Sequence, residues 1–255
     1  THGDPGHPKI LQVRDEMKSF MDELDPLLAS VERVYWAGGE PLITKEHYDI
    51  LDKWIAMGKR DVKMDYTTNF TQMYYKRKTA FEYWNSFEHV RVAASLDANH
   101  ARGEYLRKNM DWSQVVQNRR NMIEQCPHVY FELTPTVSVY NVLNLPDFHK
   151  EWIEEGLLEP QNIRINILLD PTYMRMQILP PWTKNKIRQR YEEHISYLKQ
   201  FENIDGVIND YQSILNFLKE DRSEETKMFL FKTKRVDKLR EEDLFSVFPE
   251  LEDIQ

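Results

Sequence analysis

The stretch Val34-Tyr35-Trp36-Ala37-Gly38-Gly39-Glu40-Pro41-Leu42 reads as a strand that runs into a glycine pair, an acid and a proline. A β-branched and aromatic run favours extended backbone. Gly38 and Gly39 carry no Cβ, so the chain can turn sharply there and come close to a ligand. Glu40 then stands at the carboxyl end of the strand, where its carboxylate can hold a cationic group. Pro41 stops the strand and fixes its exit. Taken alone, the stretch is equally readable as a Gly-Gly turn with a solvated acid.

Working outward, strand and helix patterns alternate. A helical apolar spacing over 9–29 precedes the strand at 32–37, and Thr44 is placed to cap a helix through Tyr48, Leu51 and Trp54 that ends at Gly58. Strand 61–67, a helix through Phe81 and Trp84, strand 89–95, a helix over about 113–125 and strand 129–139 follow. A helix through Phe148 and Trp152, closed by Gly156, leads to a last strand at 163–169. This order with short connections predicts an α/β fold with a parallel sheet. Open doubly wound sheets and TIM-like barrels both fit, and both bind ligands at the carboxyl ends of their strands.

Those strand ends are polar. They read Tyr66-Thr67-Thr68-Asn69, Ala94-Ser95-Leu96-Asp97-Ala98 and Thr134-Pro135-Thr136-Val137-Ser138, while the last strand carries Asn166 and ends at Asp170-Pro171. Hydroxyl, amide and acid groups are the donors and acceptors that a ribose, an adenine edge or an amino-acid carboxylate requires. Each alone could be a turn or cap residue; their succession along one edge points to a ligand site.

Composition narrows the function classes. The chain has 255 residues, 41% of them hydrophobic, which is enough for a full core, and a formal net charge of −8 that argues against a nucleic-acid or anionic-membrane binder. No run of about 18 apolar residues predicts a transmembrane helix, and no signal-peptide pattern opens the sequence. With one cysteine, Cys126, there is no disulfide framework, and the expected setting is a reducing, cytoplasmic one. Residues 1–8 have the Gly/Pro-rich character of a linker.

Ala37-Gly38-Gly39-Glu40-Pro41-Leu42 resembles the Gly-Gly-Glu-Pro motif of radical S-adenosylmethionine (SAM) enzymes. In that family the motif ends the second barrel strand and binds the methionine ammonium of SAM. The resemblance extends along the sheet. Thr67-Thr68-Asn69 is similar to the family's third-strand Thr-Asn element, and Ser95-Leu96-Asp97-Ala98 to its Ser-Leu-Asp-Gly element, with Ala98 where glycine is usual. Arg107 matches the arginine that pairs with the SAM carboxylate, a task suited to a guanidinium fork. Ser138 falls where relatives offer a small polar contact. The implied cofactor-binding set is Gly38, Gly39, Glu40, Pro41, Thr68, Asn69, Ser95, Asp97, Arg107, Ser138 and Asn166. The phrases Ala93–Ala98, Pro135–Val139, Leu145–His149, Val236–Arg240 and Phe248–Leu251 resemble phage and marine twitch-domain-containing radical SAM proteins.

The family's Cys-x-x-x-Cys-x-x-Cys loop is missing, and a single cysteine cannot hold a 4Fe–4S cluster. Two expectations compete: the chain starts after the cluster loop, so the ligands lie upstream of residue 1, or it is a degenerate relative that lost the cluster. The implied organisation is a linker at 1–8, a partial (β/α) TIM-like barrel over 9–180 and a helical C-terminal extension over 181–255, entered at Pro180-Pro181. Phe201, Phe217, Met228, Phe229 and Phe231 are expected as core contacts of that extension.

The resemblance implies a radical SAM core that, when intact, generates a 5′-deoxyadenosyl radical for hydrogen abstraction from a peptide or small-molecule substrate, with an electron donor as partner. The alternatives are a nonenzymatic SAM- or nucleotide-binding barrel, and a TIM-type hydrolase or isomerase working through Glu40, Asp97 and Asp170.

Overall fold

The computed structural model describes residues 17–254. The linker at 1–8 and the start of the first helical segment lie outside the described residues. From Met17 the elements run α1 (Met17–Leu24), β1 (Arg33–Trp36), α2 (Lys45–Ala56), β2 (Lys63–Thr68), a small hairpin of β3 (Tyr74–Tyr75) and β4 (Lys78–Thr79), and α3 (Ala80–Trp84). They continue through β5 (Val90–Ala94), α4 (His100–Leu106), α5 (Trp112–Gln125), β6 (Tyr130–Leu133), β7 (Thr136–Val137), α6 (Leu145–Glu154) and β8 (Asn166–Ile167). Four helices follow: α7 (Pro181–Leu198), α8 (Asp205–Phe217), α9 (Thr226–Arg240) and α10 (Leu244–Val247). No helix among the described residues is long and apolar enough to cross a membrane.

The sheet is parallel throughout, in the order β1-β2-β5-β6. It continues past β6 through a parallel bridge between Leu133 and Ile163 and the β7–β8 pair. Arg164 N donates to Leu133 O at 2.8 Å and Asn166 N to Pro135 O at 2.9 Å, so one ladder spans the break between β6 and β7. Pro135 causes that break, since it offers no N–H to the neighbouring strand. The result is five strand positions, side by side in chain order. Among the described residues no further pairing joins β8 to β1, so the sheet is an open arc and not a closed barrel.

Side chains alternate across the sheet. Met64, Tyr66, Val92, Ala94, Phe131 and Leu133 are buried under the helices. Trp36 packs on His47 and Trp54 of α2, Tyr66 on Trp84 of α3, and Phe131 on Trp152 of α6. The intervening residues, Arg33, Tyr35, Asp65, Thr67, Arg91, Ser95, Glu132, Thr134 and Asn166, line a groove on the other face. A doubly wound sheet would bury both faces in apolar side chains; this one is apolar on one side only.

The C-terminal helices dock on the same core. Tyr191 on α7 donates to Val142 O at 2.8 Å, Tyr105 on α4 donates to Asp237 at 2.6 Å, and Arg102 pairs with Glu250 at 3.0 Å. Phe229 and Phe248 are fully buried, and Phe201 and Phe217 partly so. Two expectations fail: Met228 is 47% and Phe231 56% exposed, because Phe229 and Thr233 define the inward stripe of α9.

Candidate functional site

The glycine pair forms a tight corner after β1. Gly38 has φ +80° and Gly39 φ +30°, a region that L side chains avoid, and no heavy atom beyond the chain neighbours lies within 4 Å of where either Cβ would sit. Both are exposed, so the corner leaves its backbone open to approach. Pro41 begins a short 3-10 turn, Pro41–Ile43, whose amino-terminal cap is Glu40.

Glu40 ties the end of β1 to the end of β2. Its Oε1 accepts from Thr68 Oγ1 at 2.8 Å and from Leu42 N at 3.3 Å, and its Oε2 accepts from Asn69 N at 2.9 Å. Thr68, 2% exposed, also accepts from Phe70 N at 3.0 Å, so it positions the acid and has no free face towards a ligand. A carboxylate offers about four lone-pair sites, so Glu40 retains capacity for a cation. Asn69 uses its Oδ1 to accept from Thr71 N and Thr71 Oγ1, which leaves the donors of its amide –NH2 uncommitted.

Along the same edge, Ser95 N donates to Thr68 O at 2.9 Å, carrying the chain past β5 to Asp97. Asp97 is the hub of the next contacts. Its Oδ1 accepts from Thr136 N at 2.9 Å, taking an amide that would otherwise extend the sheet ladder. Its Oδ2 accepts from Arg107 Nε at 3.0 Å and pairs with Arg107 Nη2 at 2.8 Å. Arg107 sits at the end of α4, which approaches closely because Gly103 has no side chain: a Cβ there would lie 2.5 Å from Ala98 O. Ser138 is buried, its amide and hydroxyl both satisfied by Asn141 Oδ1 at 2.8 and 3.3 Å.

Ser95, Arg107 and Asn166 converge on a groove of about 660 Å³. Gly38, Gly39, Glu40, Pro41, Thr68, Asn69, Asp97 and Ser138 do not line it; the first six form the rim above β1 and β2, and the other two brace the wall. The groove also contains residues that the sequence reading passed over. Arg33 Nε donates to Asp65 Oδ2 at 2.7 Å, and Arg91 Nη2 donates to both oxygens of Glu132 at 2.7 and 2.8 Å. The bond to Glu132 holds the Arg91 guanidinium firmly protonated, above the usual arginine range. Their signal was present: a charged or polar residue at every second position of strands otherwise apolar, as in Val90-Arg91-Val92 and Ile163-Arg164-Ile165-Asn166.

These residues suit a polar, zwitterionic ligand and do not suit an iron–sulfur cluster. Among the described residues no group of three or more His, Cys, Asp or Glu is placed to hold a metal. Cys126 is buried where α5 ends, before β6 begins and so away from the carboxyl rim, and burial pushes its thiol up to about 11.

No protein-family model matches the chain, and no curated protein matches it. Among solved structures it is similar to "Native anSMEcpe with bound AdoMet", at 15% identity and a TM-score of 0.43 over 71% of this chain and 50% of that one. It is also similar to "Native anSMEcpe with bound AdoMet and Kp18Cys peptide", at 14% identity and a TM-score of 0.43 over 80% of this chain and 54% of that one. The chain thus spans about half the length of these structures. A likeness this loose leaves the reading of the site to the residues themselves.

Proposed function

We propose that the carboxyl edge of the sheet is a SAM site and that the chain is the core of a radical-SAM-type enzyme. The order of groups along three adjacent strand ends carries this reading. Glu40 offers a carboxylate with remaining acceptor capacity, Asn69 an amide donor and Ser95 a hydroxyl. Arg107 is held by Asp97 through Nε and Nη2, which leaves its Nη1 donors for an incoming carboxylate. An ammonium on Glu40 and a carboxylate on Arg107 is the pairing an amino-acid moiety needs.

The hydrolase alternative is disfavoured on geometry. Asp97 has both oxygens on Thr136 N and Arg107, and neither it, Glu40 nor the exposed Asp170 lines the groove, so the three carboxylates are not gathered as an acid–base set on one substrate.

Calorimetric titration of SAM into the chain tests the reading. A charge-assisted hydrogen bond contributes about 1.5–3 kcal/mol, so Glu40→Gln and Arg107→Ala should each weaken binding by about ten-fold or more. Arg107→Ala leaves the Glu40 contacts in place and therefore separates loss of a ligand contact from a disturbed rim. Affinity equal to the parent in both variants would reduce the Gly-Gly-Glu-Pro stretch to a turn.

A further inference from the structure

The floor of the groove has a charge of its own. Its lining carries four arginines, Arg33, Arg91, Arg107 and Arg164, against two carboxylates, Asp65 and Glu132, in a chain whose formal net charge is −8. A positive excess gathered in a concavity of an otherwise acidic molecule focuses field on anions. Across the sheet, Arg33, Asp65, Arg91, Glu132 and Arg164 alternate in sign on successive strand positions.

Arg164 is the member of that row with a fork to spare. Both oxygens of Glu132 already accept from Arg91 at 2.7 and 2.8 Å, and the nearest approach of Arg164 to Glu132 is 4.0 Å, beyond hydrogen-bond reach. Glu132, with a side chain only 5% exposed, therefore orients Arg164 by charge without engaging its donors, and the Arg164 side chain stays 65% exposed in the groove. Asn166 lies two residues along on the same face, paired in register with Thr136. A surface arginine with these properties would be ordinary; one projecting from the inner face of a sheet, between a satisfied acid and a free amide, is placed to receive a ligand.

We propose that Arg164, with Asn166 beside it, anchors an oxyanion of the substrate, a carboxylate or a phosphate, on the floor of the groove below the rim. This rests on the proposed function only for treating the groove as the place where substrate sits. The planar guanidinium presents parallel N–H donors that meet two oxygens of such a group at once, which an ammonium cannot do.

Calorimetric titrations with inorganic pyrophosphate and with citrate, at ionic strength fixed with KCl so that screening is constant, test it on this chain. Saturable binding of at least one is expected, and the preferred probe tells phosphate from carboxylate. Arg164→Gln should weaken it ten-fold or more, Arg164→Lys should give an intermediate loss, and Arg188→Gln, on the exposed face of α7, should leave it unchanged. Circular dichroism checks that Arg164→Gln folds; should it not, Arg164→Lys alone decides. No binding above the KCl control, or equal binding by parent and Arg164 variants, overturns the proposal. SAM titrations run in parallel keep the two readings apart: Arg164-dependent anion binding without SAM binding defeats only the SAM site, and SAM binding without anion binding defeats only this one.

Discussion

At the scale of single residues, the rim is held by one acid. Glu40 accepts from a hydroxyl and two backbone amides drawn from both sides of the β1–β2 corner. Thr68 is its closest support and is buried, so Thr68→Val keeps the shape while removing the donor to Glu40 and the acceptor for Phe70 N. Leaving buried polar partners unpaired costs about 1–3 kcal/mol, and urea unfolding of Thr68→Val should show a loss in that range. A midpoint equal to the parent would mean that Glu40 is held by its backbone donors alone. Thr68 was legible in the sequence as a rim residue, though the contact it makes is to protein. Arg107 and Asp97 were legible as separate elements. Their mutual ion pair was not, because it depends on how closely α4 can approach at Gly103, a distance that no local pattern encodes.

At the scale of elements, the parallel alternation was readable because apolar spacing changes from two to 3.6 residues at each boundary and glycine or proline marks the turns. The hairpin β3–β4 and the short helix α4 were not anticipated, being two and seven residues long and set by what they pack against. Nor was the knot that joins α6, α7 and α8. His149 Nε2 lies 3.1 Å from Pro160 O, which can only accept, so this nitrogen carries the proton. Its Nδ1 then accepts from His194 Nε2 at 3.0 Å or Tyr211 Oη at 3.1 Å. Burial pushes both imidazoles well below their ordinary value of 6.5, and the facing Lys150 lowers His194 further. Burial likewise lowers His47, against Trp36 and Tyr66, to about 3.

The sign follows from linkage. Below pH 6.5 the unfolded chain binds protons that the native histidines refuse, so stability falls with pH, by up to about 1.4 kcal/mol per pH unit per histidine. Urea midpoints should therefore drop between pH 8 and pH 5, before most carboxylates titrate. A flat profile over that window would show these histidines charged or exposed in the native state.

At the scale of the whole molecule, an arc of five parallel strand positions keeps one face for packing and leaves the other as an open, polar groove. The alternation of apolar and charged residues within each strand produces both faces at once, which is why Arg33, Asp65, Arg91, Glu132 and Arg164 meet in one groove while their neighbours build the core. The C-terminal helices join the rest of the fold through Tyr191, Tyr105 and Arg102, and none of their residues lines the groove.

Crystals of the chain soaked with SAM would show whether the rim above this groove receives the ligand through Glu40 and Arg107, as proposed. The expected result is the ligand ammonium within hydrogen-bond distance of Glu40 and its carboxylate on Arg107 Nη1, with the Asp97 pairing retained. SAM bound elsewhere, or bound with Glu40 and Arg107 both out of contact, would contradict it.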